Sequence, residues 1–356
     1  MNFLVQNAIK TQESMNEQSL DEFDAYKATI KVIGCGGAGN NMVNWLYQKG
    51  VYGAQVIAIN TDAQHLKITE AHTKILIGKE LTRGLGCGGF PEKGEESAKE
   101  SVNEIRKALD GADMVFVCAG MGGGTGTGSA PVVARIAKEL GAIVIGTVTM
   151  PFDVERARID KAEIGLRKLR EHADTVIVID NNRLVKVAGN LPVKQAFAVA
   201  NEIVATMIRG IVETIAKPSL VNLDFADVKA IMSNGGVAAI GIGMSNTKNR
   251  VEEAVQAALS NPLLDINYEG ATGALVHVAG GPDMTLEEVN RAVSMVTASM
   301  DSNANVIFGA RIDDELKGQL MIMTIITGVK SPWILGKPTE KEMKAKYKTE
   351  LGIELI

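Results

Sequence analysis

Gly120-Met-Gly-Gly-Gly-Thr-Gly-Thr-Gly128 follows the apolar run Asp113 to Ala119 and gives way to Ser129-Ala-Pro-Val-Val-Ala134. The run before it reads as a strand and the run after it as a helix. Apart from Met121, every position of the loop is glycine or threonine, and each glycine costs backbone entropy on folding. A passive connection between a strand and a helix needs no such composition. Glycines let backbone amides come within hydrogen-bond reach of phosphate oxygens, and the hydroxyls of Thr125 and Thr127 add donors. The loop therefore predicts an anion cradle at the carboxyl end of a strand in an α/β fold.

Two further glycine segments flank this reading. Gly34-Cys-Gly-Gly-Ala-Gly39 fits G-x-G-x-x-G between a strand from Ala28 and a helix from Asn40 to Gly50. On its own it also suits a dinucleotide-binding oxidoreductase, with Asp62 about 20 residues on as the ribose acid. The second loop argues against that alternative. Gly84-Leu-Gly-Cys-Gly-Gly-Phe-Pro91 precedes another helical pattern and could cap a terminal phosphate. The chain has no G-x-x-x-x-G-K-[ST], so a P-loop enzyme is excluded and phosphate binding would rest on amides, hydroxyls and Mg²⁺.

Other apolar strand candidates are Ala54 to Asp62, Lys74 to Gly78, Ala142 to Met150 and Thr175 to Asp180. Helical patterns lie at Glu92 to Leu109, Thr127 to Leu140 and Glu155 to His172. Strands alternating with helices predict a largely parallel sheet covered on both faces. From 192 to 217 a single long helix is expected, with proline in its first turn and Pro218 at its end. Strand candidates at Val237 to Gly243, Gly273 to Ala279, Asn305 to Ile312 and Gln319 to Val329, with helices Asn249 to Ser260 and Leu286 to Met300, predict a smaller α+β unit. The expected organisation is a polar extension 1–27, a nucleotide-binding domain 28–191, the connecting helix 192–217, a second domain 218–330 and a short tail 331–356.

The 356 residues carry 37 basic and 42 acidic side chains, a formal charge of −5. That balance gives no broad basic surface for nucleic acid, so any anion is held locally. Cys35, Cys87 and Cys118 lack metal-site spacing and the four histidines are scattered, so no protein-held metal is expected. No run approaches the ~20 apolar residues of a membrane span, and residues 1–27 do not read as a signal peptide. A soluble, cytosolic protein without direct membrane insertion is expected.

Gly120 to Gly128 contains G-G-G-T-G-T-G, the tubulin signature, and Gly34 to Asn40, Asn60-Thr-Asp62 and Asn222-Leu-Asp-Phe-Ala-Asp227 resemble companion motifs of FtsZ, the cell-division GTPase. The resemblance covers about residues 28–330, and the short tail is similar to archaeal members. It implies a tubulin-like fold, in which a Rossmann-type GTPase domain is joined by a long central helix to a smaller α+β domain. It also implies GTP or GDP with Mg²⁺, head-to-tail polymerisation, and a cytoplasmic division ring beneath the membrane. By this resemblance Gly36, Gly37 and Asn40 match the first phosphate loop, and Gly123, Gly124, Thr125, Gly126 and Thr127 match the loop around the β and γ phosphates. Glu155 resembles the ribose acid, Asn181 the sugar and base contact, Phe197 the ring stacked on guanine, and Asn201 the group reading its edge. Asn222, Asp224 and Asp227 match a loop whose acids complete the neighbouring subunit's site. The chain departs from the family where Ile159 replaces a usual arginine, with Arg158 one place earlier, and where Cys87 and Phe90 replace Ala and Asn.

Phe197 and Asn201 lie near the start of the long helix and Asp224 and Asp227 follow its end, roughly 30 Å away at 1.5 Å per residue. They cannot serve one nucleotide. If the acids are catalytic, the active site forms between stacked subunits, a heterologous contact that yields an open filament. Asp224 also reads as the N-cap of a helix Phe225 to Met232. Leu351 to Ile356 is a candidate docking peptide for a membrane-anchoring adaptor. A tubulin-like GTPase of cell shape and a non-catalytic nucleotide-binding scaffold remain alternatives.

Overall fold

A computed structural model describes residues 28–331 except 217, 218, 222, 234, 235, 262 and 265. The extension 1–27, the tail peptide and Asn222 therefore lie outside the described residues. Strand β1 (Ile30–Cys35) is buried at every position, as expected of an interior strand with helices on both faces. It is joined by β2 (Ala54–Asn60), β3 (Thr73–Leu76), β4 (Met114–Gly120), β5 (Ile143–Met150), β6 (Thr175–Asp180), β7 (Gly236–Ser245), β8 (Gly273–Gly280), β9 (Asn305–Ile312) and β10 (Leu320–Thr327). Together they form one ten-stranded sheet in the order β3-β2-β1-β4-β5-β6-β7-β10-β8-β9.

The first six strands pair in parallel. β7 continues that sheet only through Thr175↔Gly236 and Val176↔Val237. It then pairs antiparallel with β10, β10 antiparallel with β8, and β8 parallel with β9. The change from parallel to mixed pairing marks the passage to the second unit. Strand order reverses between β1 and β4, which are neighbours. A crevice opens beyond the carboxyl ends of the strands at such a point, and the two leading glycine loops both leave there.

The helices are α1 (Gly36–Lys49), α2 (Ala63–Ile68), α3 (Lys79–Thr82), α4 (Pro91–Glu100), α5 (Val102–Leu109) and α6 (Thr125–Glu139). They continue with α7 (Ala157–Arg170), α8 (Asn181–Ala188), α9 (Val193–Ala216), α10 (Phe225–Met232), α11 (Arg250–Leu259) and α12 (Leu286–Thr297). Alternate side chains of the strands feed two cores. Val32, Phe116 and Ile145 pack on the face shared with Leu46 of α1 and with Val204 and Ile208 of α9. Ile33, Val117 and Val144 pack on the other, with Val133 and Ile136 of α6 and Leu166 of α7. Length and composition would let α9 cross a bilayer, but its apolar stripe is spent inside the protein. Trp45 Nε1 donates to Glu202 Oε2 at 2.5 Å on one side of it. On the other, a Cβ at Gly210 would lie 2.8 Å from Met323 Sδ of the second unit.

Three expectations are corrected in detail. The helix Glu92 to Leu109 is two helices, because Ser101 leaves helical geometry (φ −103°, ψ 20°) and its buried Oγ accepts from Gly78 N at 3.3 Å. The helix expected from Glu155 starts at Ala157, after a 3-10 turn at Asp153–Glu155 and Arg156 at φ 44°. Of three short helices unseen in the sequence, α2, α3 and α8, two (α2 and α8) start from an aspartate at a strand's end. Asp62 accepts from Gln64 N and His65 N, and Asp180 from Asn182 N. Such capping supplies acceptors to orphan amides and needs no apolar periodicity.

On β8, His277 is buried with neither ring nitrogen partnered. Burial, aided by the nearby Arg311 charge, pushes its pKa down to about 4. The unfolded chain therefore takes up this proton first as pH drops. Its contribution to stability is full above about pH 6.5 and is lost toward pH 4, by about 3 kcal/mol in all. Urea unfolding of wild type and His277→Phe at successive pH values should show this acid sensitivity in wild type and lose it in the variant.

Candidate nucleotide site

The glycines of the two leading loops divide by what surrounds them. A Cβ at Gly126 would lie 2.8 Å from Gly120 O and 2.9 Å from Cys35 O, so the loops interlock too closely for any side chain. At Gly36 it would meet Gly126 N at 2.7 Å, and at Gly124 it would meet Cys87 Cβ at 2.7 Å and Phe90 N at 3.0 Å. These glycines bring three loops together. At Gly37 and Gly123 a Cβ would meet nothing within 4 Å, so the loop borders open space there and a ligand can approach its backbone. Entropy is thus spent partly on packing and partly on access.

Threonines fasten the assembly. Thr125 Oγ1 lies 2.7 Å from Thr61 Oγ1 at the end of β2. Cys87 Sγ of the third loop donates to the same Thr61 hydroxyl at 3.4 Å, and Gly86 N donates to Thr61 O at 3.1 Å. Thr61, fully buried, ties all of this together; the sequence marks it only as part of the Asn60-Thr-Asp62 motif, with no role of its own. Thr127 is also buried, and its Oγ1 accepts from Gly122 N at 2.9 Å, so it holds the loop's shape from within. Cys35 is a small core residue whose thiol is pushed up to about 12 by burial and is inert. Phe90 stands 53% exposed, with the ammonium groups of Lys93 and Lys161 each 5.5 Å from its ring; Lys161 Nζ also donates to Gly89 O at 2.8 Å. The departures at Cys87 and Phe90 thus bring a buried thiol contact and two positive charges to the third loop.

Beside these loops lies a cavity of about 390 Å³ lined by Gly37, Asn181, Phe197 and Asn201 together with Ala38, Asn41, Met42, His65, Thr149, Ala200 and Val204. Four residues singled out from the sequence meet in one space. Phe197, 44% exposed, presents a free face and touches Phe152 edge-on at 6.2 Å between ring centres. Asn181 is the first residue of α8, placed by the Asp180 cap. Asn40 differs from expectation: its side chain is fully buried with neither amide atom partnered, and it is Asn41 that reaches the cavity. The reason is helical phase, since α1 already begins at Gly36 and turns Asn40 toward the sheet. Glu155 is half-buried; its Oε1 accepts from Phe152 N at 2.9 Å and its Oε2 from Arg158 Nη1 at 2.6 Å. Arg158 therefore neutralises the acid, while Ile159 supplies no charge.

At the far end of α9, Asp224 and Asp227 form a reciprocal cap. Asp227 N donates to Asp224 Oδ1 at 2.9 Å and Asp224 N to Asp227 Oδ2 at 3.0 Å. One oxygen of each carboxylate fixes the start of α10; Asp224 stays exposed and Asp227 half-buried. An antiparallel bridge between Val221 and Ala310 pins the approaching segment to β9.

A parallel sheet whose switch point carries a tubulin-type signature loop, with a base-sized cavity beside it, defines a tubulin-type GTPase. The Tubulin/FtsZ family GTPase domain matches residues 29–189, and the FtsZ family C-terminal domain matches residues 236–330. The cell division protein FtsZ 2 of Methanocaldococcus jannaschii is 58% identical over 323 residues, 90% of this chain and 84% of that protein. A solved empty FtsZ dimer from M. jannaschii superposes with a TM-score of 0.78 at 50% identity, covering 90% of this chain and 92% of that one. CetZ2 of Haloferax volcanii, solved as a GTPγS-bound protofilament, has a TM-score of 0.74 at 26% identity over 91% of this chain and 99% of its own. The chain belongs to the FtsZ family, and the dehydrogenase alternative is set aside.

Proposed function

We propose that this cell-division GTPase hydrolyses GTP only at the junction of two stacked subunits, one supplying the nucleotide cavity and the next Asp224, Asp227 and Asn222. The observation that carries this is the 24-residue helix α9, which puts Phe197 and Asn201 at one end and the capped acids beyond the other. At 1.5 Å per residue the helix is about 36 Å long, far beyond the reach of a side chain. Unlike apolar surfaces accompany the two ends: Ile68, Leu85 and Phe90 are exposed on loops and helices around the phosphate side, and Leu220, Val221 and Phe308 near the acids. A contact between unlike patches repeats without closing and builds a filament.

In this reading residues 28–191 hold the nucleotide, 192–217 connect, and 218–330 complete the neighbour's site. The backbone amides of Gly37 and Gly123 and the hydroxyl of Thr125 hold the phosphates, and Phe197, Asn181 and Asn201 hold the guanine. Among the described residues no three His, Cys, Asp or Glu side chains cluster, so a Mg²⁺ ion fits only as one carried by phosphate oxygens, with the Thr61–Thr125 hydroxyls as the chain's own donors in that loop. When bound, the ion neutralises charge on the β and γ phosphates. The carboxylates of the abutting subunit orient the attacking water, and positioning supplies most of the rate. Loss of the γ-phosphate from the junction then weakens it. The filament forms the division ring in the cytoplasm beneath the membrane, with residues 351–356 docking an anchoring adaptor.

Phosphate release measured against protein concentration tests the reading. Turnover per subunit should be negligible at high dilution and rise steeply above a threshold. A constant rate per subunit across the range would overturn the shared site.

A further inference from the structure

His65 lines the nucleotide cavity, and nothing in the loop motifs assigns it a task. It is the third residue of α2, held where Asp62 Oδ1 accepts from Gln64 N at 2.9 Å and from His65 N at 3.0 Å. Its ring is oriented by a second contact, Nδ1 at 3.4 Å from Asn60 Nδ2. The Asn60 amide has a fixed sense, because its Oδ1 accepts from Thr61 N at 2.9 Å and from Asp62 N at 3.3 Å. The atom facing His65 is therefore the NH₂ group, which can only donate. Nδ1 must accept, and the ring proton of that tautomer sits on Nε2. The cavity wall thus carries an N–H donor whose orientation is set by the loop behind it.

The position of that donor narrows what it meets. Asn60 precedes Thr61, whose hydroxyl binds Thr125 of the signature loop, so His65 belongs to the flank that holds the phosphate loop. Asn181 leaves β6, four places from β2 in the order β2-β1-β4-β5-β6, roughly 19 Å across the sheet. With the base held at the β6 flank by Asn181, Phe197 and Asn201, the acceptors left for His65 are oxygens of the sugar and phosphates. We propose that His65 donates its Nε2–H to a ribose or phosphate oxygen of the bound guanine nucleotide and is a binding residue of the site. The proposal rests on the guanine-nucleotide reading above.

Equilibrium binding of GDP, guanosine and guanine to the full chain tests it, using wild type, His65→Phe and His65→Gln. The phenylalanine keeps an aromatic ring and removes the donor; the glutamine restores an N–H. GDP should bind roughly tenfold more weakly to His65→Phe, and His65→Gln should recover most of the loss. A loss confined to GDP identifies a phosphate oxygen, and a loss shared by guanosine identifies the ribose. Unchanged GDP affinity in His65→Phe, no recovery in His65→Gln, or an equal loss with free guanine would overturn the proposal. Failure of the wild-type chain to bind GDP would instead overturn the nucleotide reading itself, so the two failures are distinguishable.

Discussion

Asp227→Asn leaves GTP bound at close to wild-type affinity and lowers turnover by roughly 10²–10³-fold, as removal of a group acting mainly in the transition state does. Asparagine is chosen for a structural reason. Asp227 Oδ2 accepts from Asp224 N, and an amide oxygen can keep that bond, so the start of α10 stays capped. Alanine would remove cap and charge together and cost about 1 kcal/mol of local stability besides. The distance along α9 separates this carboxylate from its own subunit's cavity, so nucleotide affinity has no reason to change. GTP binding by filtration, phosphate release and sedimentation of filaments, on the same preparation, separate binding, chemistry and assembly. Normal turnover in filaments of Asp227→Asn would show that this carboxylate does not act on the reaction.

The cap also bears on how the sequence is read. Asp224 and Asp227 fit both a helix start and a catalytic pair, and spacing favours the helix start. The structure has the cap in full, yet the cap spends one oxygen of each carboxylate, so it orients the acids without consuming them. The glycine loops were legible because a strand, a glycine run and a helix leave a local signature. The ten-stranded order was legible only in part: alternation predicts parallel strands, but the two-residue junction of β6 with β7 depends on contacts distant in sequence. The tying role of Thr61 and the place of His65 were not legible for the same reason. Their roles arise because β2 ends beside the signature loop, a proximity that neither the Asn60-Thr-Asp62 motif nor a lone histidine reveals. That the Asn40 side chain is buried and Asn41 lines the cavity follows from helical phase, which a motif match does not show.

Two inactive variants mixed in equal amounts should recover activity that neither has alone. Gly37→Val is the first: Gly37 lines the cavity and a Cβ there meets nothing within 4 Å, so the new side chain has room to occupy space the nucleotide needs, and its acids are intact. Asp227→Asn is the second, with an intact cavity and a disabled acid. In a random one-to-one copolymer, about one quarter of head-to-tail junctions join a working cavity to a working acid. Turnover should therefore return to about a quarter of the wild-type rate per subunit in filaments, from near zero in each variant separately. The fraction falls below that if Gly37→Val subunits, lacking nucleotide, enter filaments less readily, and sedimented composition measures that directly. A site contained within one subunit has no route to recovery, because each chain would carry its own lesion whatever its neighbour. A mixture that co-sediments in equal parts yet stays inactive would overturn the shared site even if both single variants behave as expected.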